Sequence, residues 1–150
     1  MASMRNVRIA LSVVTLAFGA IATVAVGVAT ATAAGKPHLV VKPASGLKNG
    51  SVLKVTGSGF KPNDQLIIVE CLRTSTGQAG CKVDITKLVT VTVSAKGTVP
   101  STTFKVSTGK IGGGTCGTKA ANLAKCEVSA GNASGGDTAS APIVFVLPKG

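Results

Sequence analysis

The sequence predicts an all-β fold, an immunoglobulin-like sandwich of seven strands. Short runs rich in valine, isoleucine and threonine alternate with glycine, serine and asparagine turns about every ten residues, which is typical of such sandwiches. No stretch keeps the 3.6-residue period of an amphipathic helix. The segment 119–125 contains good helix formers, but glycines and cysteines enclose it. We therefore expect a loop or a single helical turn there.

The first three strands follow from apolar patterning. The first is an apolar run that stops before Pro43. The second alternates, with Leu53 and Val55 on one face. The Asn-Gly dipeptide at 49–50, just before it, predicts a type I′ hairpin turn. The third strand contains the uninterrupted apolar run 66–69, which predicts burial on both of its sides.

The last four strands alternate apolar and polar residues. The Ala-Lys-Gly segment 95–97 turns the fourth strand into the fifth. The sixth places Cys126 and Val128 on one face, and the seventh places Ile143 and Phe145 inward. The other inward residues are predicted to be Val89, Val91, Val93, Thr102, Phe104 and Val106. The seven predicted strands cover residues 39–41, 52–56, 65–72, 88–94, 101–107, 125–130 and 141–147.

A secretory signal peptide is predicted over residues 1–33. A short basic start precedes an uncharged apolar run over 9–28 and a tract of alanine and threonine, so cleavage after Ala31 or Ala33 fits best. The alternative is an uncleaved membrane anchor formed by 9–28, because about 20 apolar residues can span a bilayer. In both cases the sandwich domain, residues 34–150, is expected outside the cytoplasm.

The chain is strongly basic, with 16 Lys and Arg against 5 Asp and Glu and a net charge of +11. Such a charge favours contact with anionic surfaces such as phospholipid, wall polymer or nucleic acid. The basic residues are spread singly, and Arg73 is the one arginine beyond the predicted leader. Because bidentate reading of bases prefers arginine, any DNA contact is expected to be non-specific.

The cysteines Cys71, Cys81, Cys116 and Cys126 form an even set in the exported part, which indicates two disulfides. Four cysteines allow three pairings. The equal spacing favours the local one, Cys71 with Cys81 and Cys116 with Cys126. Each such loop restricts the unfolded chain by about 2.8 kcal/mol on the loop-entropy model. No metal site is predicted, because the spacing of zinc ligands is missing.

Nothing in the sequence predicts an enzyme. The acidic residues form no paired motif, and the single histidine, His38, lies near the start of the predicted domain. The Gly-Ser-Gly segment 57–59 follows a strand, as in phosphate-binding loops. Turn residues and another strand come next, however, instead of the helix that such a loop requires.

The segment 43–60, PASGLKNGSVLKVTGSGF, resembles the opening of the neocarzinostatin-type apoproteins, the protein halves of enediyne chromoproteins from actinobacteria. The next strand ends in a cysteine whose partner in the family lies ten residues on, as Cys71 and Cys81 do. A second local cysteine pair, a Gly-Asn turn at 131–132 and a last strand ending in Phe145 also match.

This resemblance, which spans residues 39–145, implies a seven-stranded sandwich with side ribbons stapled by the disulfides and a cleft between them. In the family the cleft non-covalently carries and shields an enediyne antibiotic chromophore, which reaches DNA after release. The corresponding ligand-binding residues in this chain are Cys71 and Cys81 at the cleft floor, Glu127 just after the last cysteine, Ser129 on the same strand, and Arg73 where the family has an aromatic residue. The chain has no Trp and no Tyr to stack on a polycyclic ligand.

Two functional hypotheses follow. The first is a secreted, monomeric, non-enzymatic carrier of a small apolar ligand, as the resemblance implies. The alternative is a cationic, envelope-associated immunoglobulin-like protein that binds anionic polymers or a protein partner and has no small ligand.

Overall fold

The computed structural model describes residues 35–147, so the predicted signal peptide and the alternative anchor, 9–28, lie outside the described residues. Within the described part, no helix is long and apolar enough to cross a membrane. The strands are β1 (His38–Lys42), β2 (Val52–Ser58), β3 (Gln65–Leu72), β4 (Cys81–Lys82), β5 (Val89–Thr92), β6 (Val99–Lys105), β7 (Gly109–Ile111), β8 (Gly114–Cys116), β9 (Cys126–Gly131) and β10 (Thr138–Ile143).

Seven of these strands build the sandwich and confirm the predicted fold class. One sheet has the order β1–β2–β6, and the facing sheet has the order β10–β9–β3 with β5 and β4 both paired to β3. All the pairings are antiparallel. Side chains that alternate along the strands fill the space between the sheets, among them Leu53, Val55, Leu66, Ile68 and Val128, all at most 1 % exposed.

The remaining short strands form the side ribbons that the resemblance implies. Strand β4 pairs with the end of β3, and the Cys71–Cys81 disulfide joins the two strands. Strands β7 and β8 form a separate hairpin, and the Cys116–Cys126 disulfide ties it to the start of β9. These are the local pairs that the equal spacing favours. The expected turn within 119–125 is a single 3-10 turn, Ala120–Asn122.

Six of the seven predicted strands differ from the observed ones at their ends, and the fifth and seventh are displaced by at least two residues at both ends. The fifth predicted strand, β6, begins at Val99, two residues before the predicted start at Ser101. The seventh, β10, runs over Thr138–Ile143 and stops well before Leu147. The reason is that the chain leaves this sheet after Ile143. Leu47 N–H then donates to Val144 O, and Val146 N–H donates to Leu47 O.

The predicted type I′ turn at 49–50 is wrong. That turn requires positive φ at both central residues. Here Gly50 has φ 81°, whereas Asn63 is the only described non-glycine residue with positive φ. The segment is instead a tight turn closed by Ser51 N–H donating to Lys48 O, inside the long connection between β1 and β2.

Candidate ligand-binding cleft

The floor of a cleft is formed by the outer face of three neighbouring strands, β3, β9 and β10. Val69 lies opposite Ser129, which in turn lies opposite Ser140. Two residues further along β3, Cys71 lies opposite Glu127 of β9. The floor therefore combines an apolar strip from β3 with a strip of small polar side chains from β9 and β10.

The first disulfide and the segment that follows it form one wall. Ser75 and Gln78 come from the connection before β4, and Val83 and Leu88 come from the segment after it. Together with the floor they enclose a cavity of about 490 Å³. Val83 and Leu88 are 47 % and 37 % exposed, so this wall offers apolar surface that the protein itself does not cover.

Hydroxyl groups and one carboxylate supply the polar contacts. Ser129 Oγ and Ser140 Oγ are 2.7 Å apart and share a hydrogen bond. Ser129 Oγ also donates to Glu127 Oε1 at 3.4 Å. No histidine lines the cavity to act as a base for these serines. Such groups can orient a ligand by hydrogen bonds.

The turn between β9 and β10 forms the lip of the cleft and is held by side chains. Asn132, which lines the cavity, donates from Nδ2 to Asp64 Oδ2 at 2.7 Å. The carboxylate of Asp137 accepts a hydrogen bond from the backbone N–H of Lys61 at 2.8 Å. Asp137 is 8 % exposed, so this bond fixes the lip to the connection between β2 and β3.

Four of the residues that the resemblance assigns to ligand binding line this cavity: Cys71, Cys81, Glu127 and Ser129. Arg73 does not. It is exposed and lies apart from the cavity lining; its Nη1 donates to Ala124 O at 3.4 Å. A position two residues after the cysteine has left the strand that builds the floor, since β3 ends at Leu72.

Sequence reasoning missed the apolar floor residues Ile67 and Val69. The prediction that the run 66–69 is buried on both sides is wrong, because Leu66 and Ile68 are fully buried while Ile67 and Val69 are half-buried. Their face of β3 points into the cleft instead of a second core. The apolar run itself does not distinguish a cleft floor from a second core, so the sequence offered no specific signal for these two residues.

A second cavity, of about 570 Å³, lies on the other side of β3, next to Glu70. Glu70 is 2 % exposed, and its Oε2 accepts hydrogen bonds from Ser107 N–H at 2.9 Å and Ser107 Oγ at 3.2 Å. Lys82 Nζ donates to the same Ser107 Oγ at 2.9 Å. Burial raises the pKa of the Glu70 carboxyl, against the lowering effects of Ser107 and Lys82.

One cluster of potential metal ligands occurs in the described part of the chain. It consists of the carboxylate of Glu70 and the sulfurs of Cys116 and Cys126, all within 4.8 Å of one another. The two sulfurs are joined in a disulfide. Because zinc binds the thiolate, this group does not provide a metal site in the disulfide-bonded protein.

The described chain is an immunoglobulin-like β-sandwich with a cleft between one sheet and a disulfide-stapled ribbon. Comparison with known proteins identifies its family. The model of the neocarzinostatin family matches residues 39–145. Macromomycin of Streptomyces macromomyceticus is 30 % identical over 131 residues, which cover 82 % of this chain and 89 % of macromomycin.

The solved structure of macromomycin is similar as well. The TM-score is 0.53 at 27 % identity, and the match covers 73 % of this chain and 99 % of the macromomycin chain. The chain belongs to the neocarzinostatin family.

Proposed function

We propose that this protein is a secreted, non-enzymatic carrier that holds one small, largely apolar ligand in the cleft and shields it from water. The observation that carries the proposal is the half-buried pair Ile67 and Val69, which faces a cavity of about 490 Å³ beside the first disulfide. Small-molecule sites combine such an apolar lining with a few placed polar groups. Ser129, Ser140 and Glu127 supply those groups here.

An enediyne-like chromophore is the ligand class that the family resemblance implies, and the cleft fits an apolar ligand of that kind in part. Aliphatic side chains at the floor and wall supply apolar contact. No aromatic side chain is among the residues that line the cavity, so the proposed grip does not use stacking on an aromatic face. The proposed ligand is therefore held by shape, aliphatic contact and hydroxyl hydrogen bonds.

Export and a monomeric state complete the proposal. Removal of residues 1–33 releases the sandwich domain, residues 34–150, outside the cell, where both disulfides persist. The carrier is proposed to act as a monomer.

Titration with a neutral solvatochromic dye such as Nile red tests the proposal. The chain has no Trp or Tyr, so dye emission is measured against little intrinsic fluorescence. We expect saturable one-to-one binding with a blue-shifted emission. The variant Val69→Gln should weaken binding at least tenfold. The matched control Val52→Gln, at a position 59 % exposed on the other sheet, should leave binding unchanged. Absence of saturable binding, or equal loss in both variants, contradicts the cleft as the site.

A second candidate function is contact with anionic polymers outside the cell. The observation that favours it is the charge of the exported part. Without Arg5 and Arg8 of the predicted leader, 14 basic residues remain against 5 acids, a net charge of +9, and lysines occupy exposed strand positions. Binding of this kind must weaken steeply as salt rises, and on DNA it would carry no sequence preference. Measured binding that is insensitive to salt contradicts it.

A further inference from the structure

The outer face of the β1–β2–β6 sheet is a continuous cationic surface, which we call the lysine face. Its inward side packs on the core through buried residues such as Leu39 and Leu53. Its outward side chains are all exposed or half-buried. They are His38, Val40, Lys42, Val52, Lys54, Thr56, Ser101, Thr103 and Lys105.

Strand register brings the lysines of this face together. Lys42 on β1 lies directly opposite Lys54 on β2. Lys54 lies opposite Thr103 on β6, and Lys105 lies two residues further along, opposite Val52. Side chains directly opposite each other are about 5 Å apart at Cβ, and diagonal neighbours about 7–8 Å apart. The three lysines therefore occupy neighbouring positions that extend across all three strands.

This arrangement breaks a rule of sheet stability. Like charges directly opposite each other on neighbouring strands destabilise a sheet, and Lys42 and Lys54 form such a pair. Positions that break a local rule without a structural gain point to function. A bound polyanion would convert this repulsion into attraction.

The acidic residues are segregated from the lysine face. Each of the five acids in the sequence lies on a strand of the other sheet or within two residues of one. The acids, with the strands they belong to or adjoin, are Asp64 and Glu70 (β3), Asp84 (β4), Glu127 (β9) and Asp137 (β10). The lysine face thus has no acidic neighbour on its own strands to neutralise it.

We propose that the lysine face is a docking surface for a flexible polyol-phosphate chain, a phosphodiester polymer without bases, of the kind that cell envelopes carry. This deepens the second candidate function and rests on it. Lysine binds phosphate as a point charge, without the planar fork by which arginine also reads bases. Nucleic-acid strands are typically gripped by aromatic stacking, and this face has no aromatic ring besides the imidazole of His38. The hydroxyls of Ser101 and Thr103 suit the polyol units between phosphates.

The chemistry of such docking is counterion release. Each lysine that neutralises a phosphate of a flexible single chain contributes about 0.7 to the slope of log K against log salt. Three lysines therefore contribute about 2 to the slope, which corresponds to a loss of roughly 15- to 20-fold between 50 and 200 mM salt. The exposed side chain of Val52 contacts the carbon backbone of the polymer.

Two triple variants of equal net charge test the proposal on the full domain. One replaces the lysine face, Lys42→Gln, Lys54→Gln and Lys105→Gln. The control replaces three exposed lysines elsewhere in the described chain. These are Lys61, after β2, Lys110, on β7, and Lys125, before β9, each changed to Gln. Binding to poly(glycerol phosphate) of defined length is measured from 25 to 200 mM salt, with duplex DNA of equal phosphate number as the second arm.

We expect the lysine-face variant to lose at least tenfold in affinity at 50 mM salt. The slope of log K against log salt should fall by about 2 in this variant. In the control variant, the loss of affinity and the fall in slope should each be less than half as large. Single Lys42→Gln should also raise the melting temperature of the free protein at low salt, because it removes the opposed pair. Equal losses in both triple variants overturn the docking face while leaving general anionic contact intact. Tighter binding to DNA overturns the choice of partner. No binding by the wild type overturns both the docking face and the general anionic contact, and it leaves the carrier function untouched.

Discussion

The two disulfides of this protein have the same loop length and opposite surroundings. Each joins cysteines ten residues apart. Cys116 and Cys126 are fully buried and belong to the core between the sheets. Cys71 is almost fully buried, but Cys81 is half-buried, and both line the ligand cleft.

Equal loops make this a controlled comparison. The constraint on the unfolded chain is about 2.8 kcal/mol for either bond on the loop-entropy model, so it cancels between them. What remains is the contact that each pair makes in the folded protein. The core disulfide therefore contributes to the packing between the sheets, and the other disulfide shapes the candidate cleft.

Removal of the core disulfide should have the largest effect. The double variant Cys116→Ala, Cys126→Ala should lose about 4 to 5 kcal/mol, because lost core contacts add to the loop term. Urea unfolding followed by far-UV circular dichroism measures this loss, since the chain has no Trp or Tyr. A variant already unfolded without urea agrees with this ranking.

Removal of the cleft disulfide should reduce the free energy of unfolding less than removal of the core disulfide, and it should reduce the affinity for the dye more. Cys71→Ala, Cys81→Ala should lose about 3 kcal/mol, close to the loop term alone. In contrast to the core variant, its folded fraction should bind the cleft dye at least tenfold more weakly. The comparison fails if this variant is the less stable of the two.

The β7–β8 hairpin packs closely against the segment 79–81 of the other ribbon, and this close approach requires a glycine at position 112. Gly112 has φ +50°, and a Cβ there would lie 2.5 Å from Ala79 O and 2.9 Å from Cys81 N. Gly112→Ala should therefore cost about 2 kcal/mol and push the β7–β8 hairpin away from the cleft disulfide. Gly113→Ala is the matched control, because a Cβ there meets nothing within 4 Å, and it should change the free energy of unfolding by less than about 0.5 kcal/mol. Equal losses at the two glycines would show that the ribbons do not depend on this contact.

The smallest effects concern pH. The raised pKa of Glu70 means that the folded state favours the protonated carboxyl. Its contribution to stability is full below the ordinary carboxyl pKa and is lost as pH rises through the raised folded pKa. Glu70→Gln, beside the core disulfide, should thus gain stability relative to wild type as pH rises. Melting temperatures from pH 3 to 8 measure the difference between the two proteins.

Asp84, near the cleft disulfide, should show the opposite sign. Hydrogen bonds from the side chain and backbone of Thr86 lower the pKa of this exposed carboxyl. Its contribution is present above the ordinary pKa and lost as pH falls through the lowered one. Asp84→Asn should therefore remove a small part of the acid destabilisation. If the melting temperatures of the two variants, each relative to wild type, changed with pH in the same direction, the raised pKa of Glu70 and the lowered pKa of Asp84 would be contradicted.

The sequence predicted the framework because alternation of valine and threonine directly encodes which side of a strand is buried. Leu53 and Val55 lie in the core as the pattern requires. The prediction of a type I′ turn at 49–50 was wrong because this Asn-Gly dipeptide lies inside a long connection between β1 and β2 and not in a two-residue hairpin loop. The predicted end of the last strand was wrong because Phe145 pairs with Leu47, a distant contact that no local sequence pattern indicates.

The candidate site was predictable only where it coincides with a motif. The cysteines and the two β9 positions could be placed by resemblance, since cysteine spacing fixes them. Ile67 and Val69 could not, because a half-buried cleft floor and a second core give the same apolar run. Arg73 was placed by counting from Cys71. Because β3 ends at Leu72, that position lies outside the strand and outside the cavity lining.

Native mass spectrometry of the protein isolated from its own culture shows whether the cleft carries a small ligand. We expect a mass above that of the disulfide-bonded chain by one small molecule, which is released on denaturation. A bare chain mass under gentle conditions, in material whose two disulfides are intact, would contradict the carrier function.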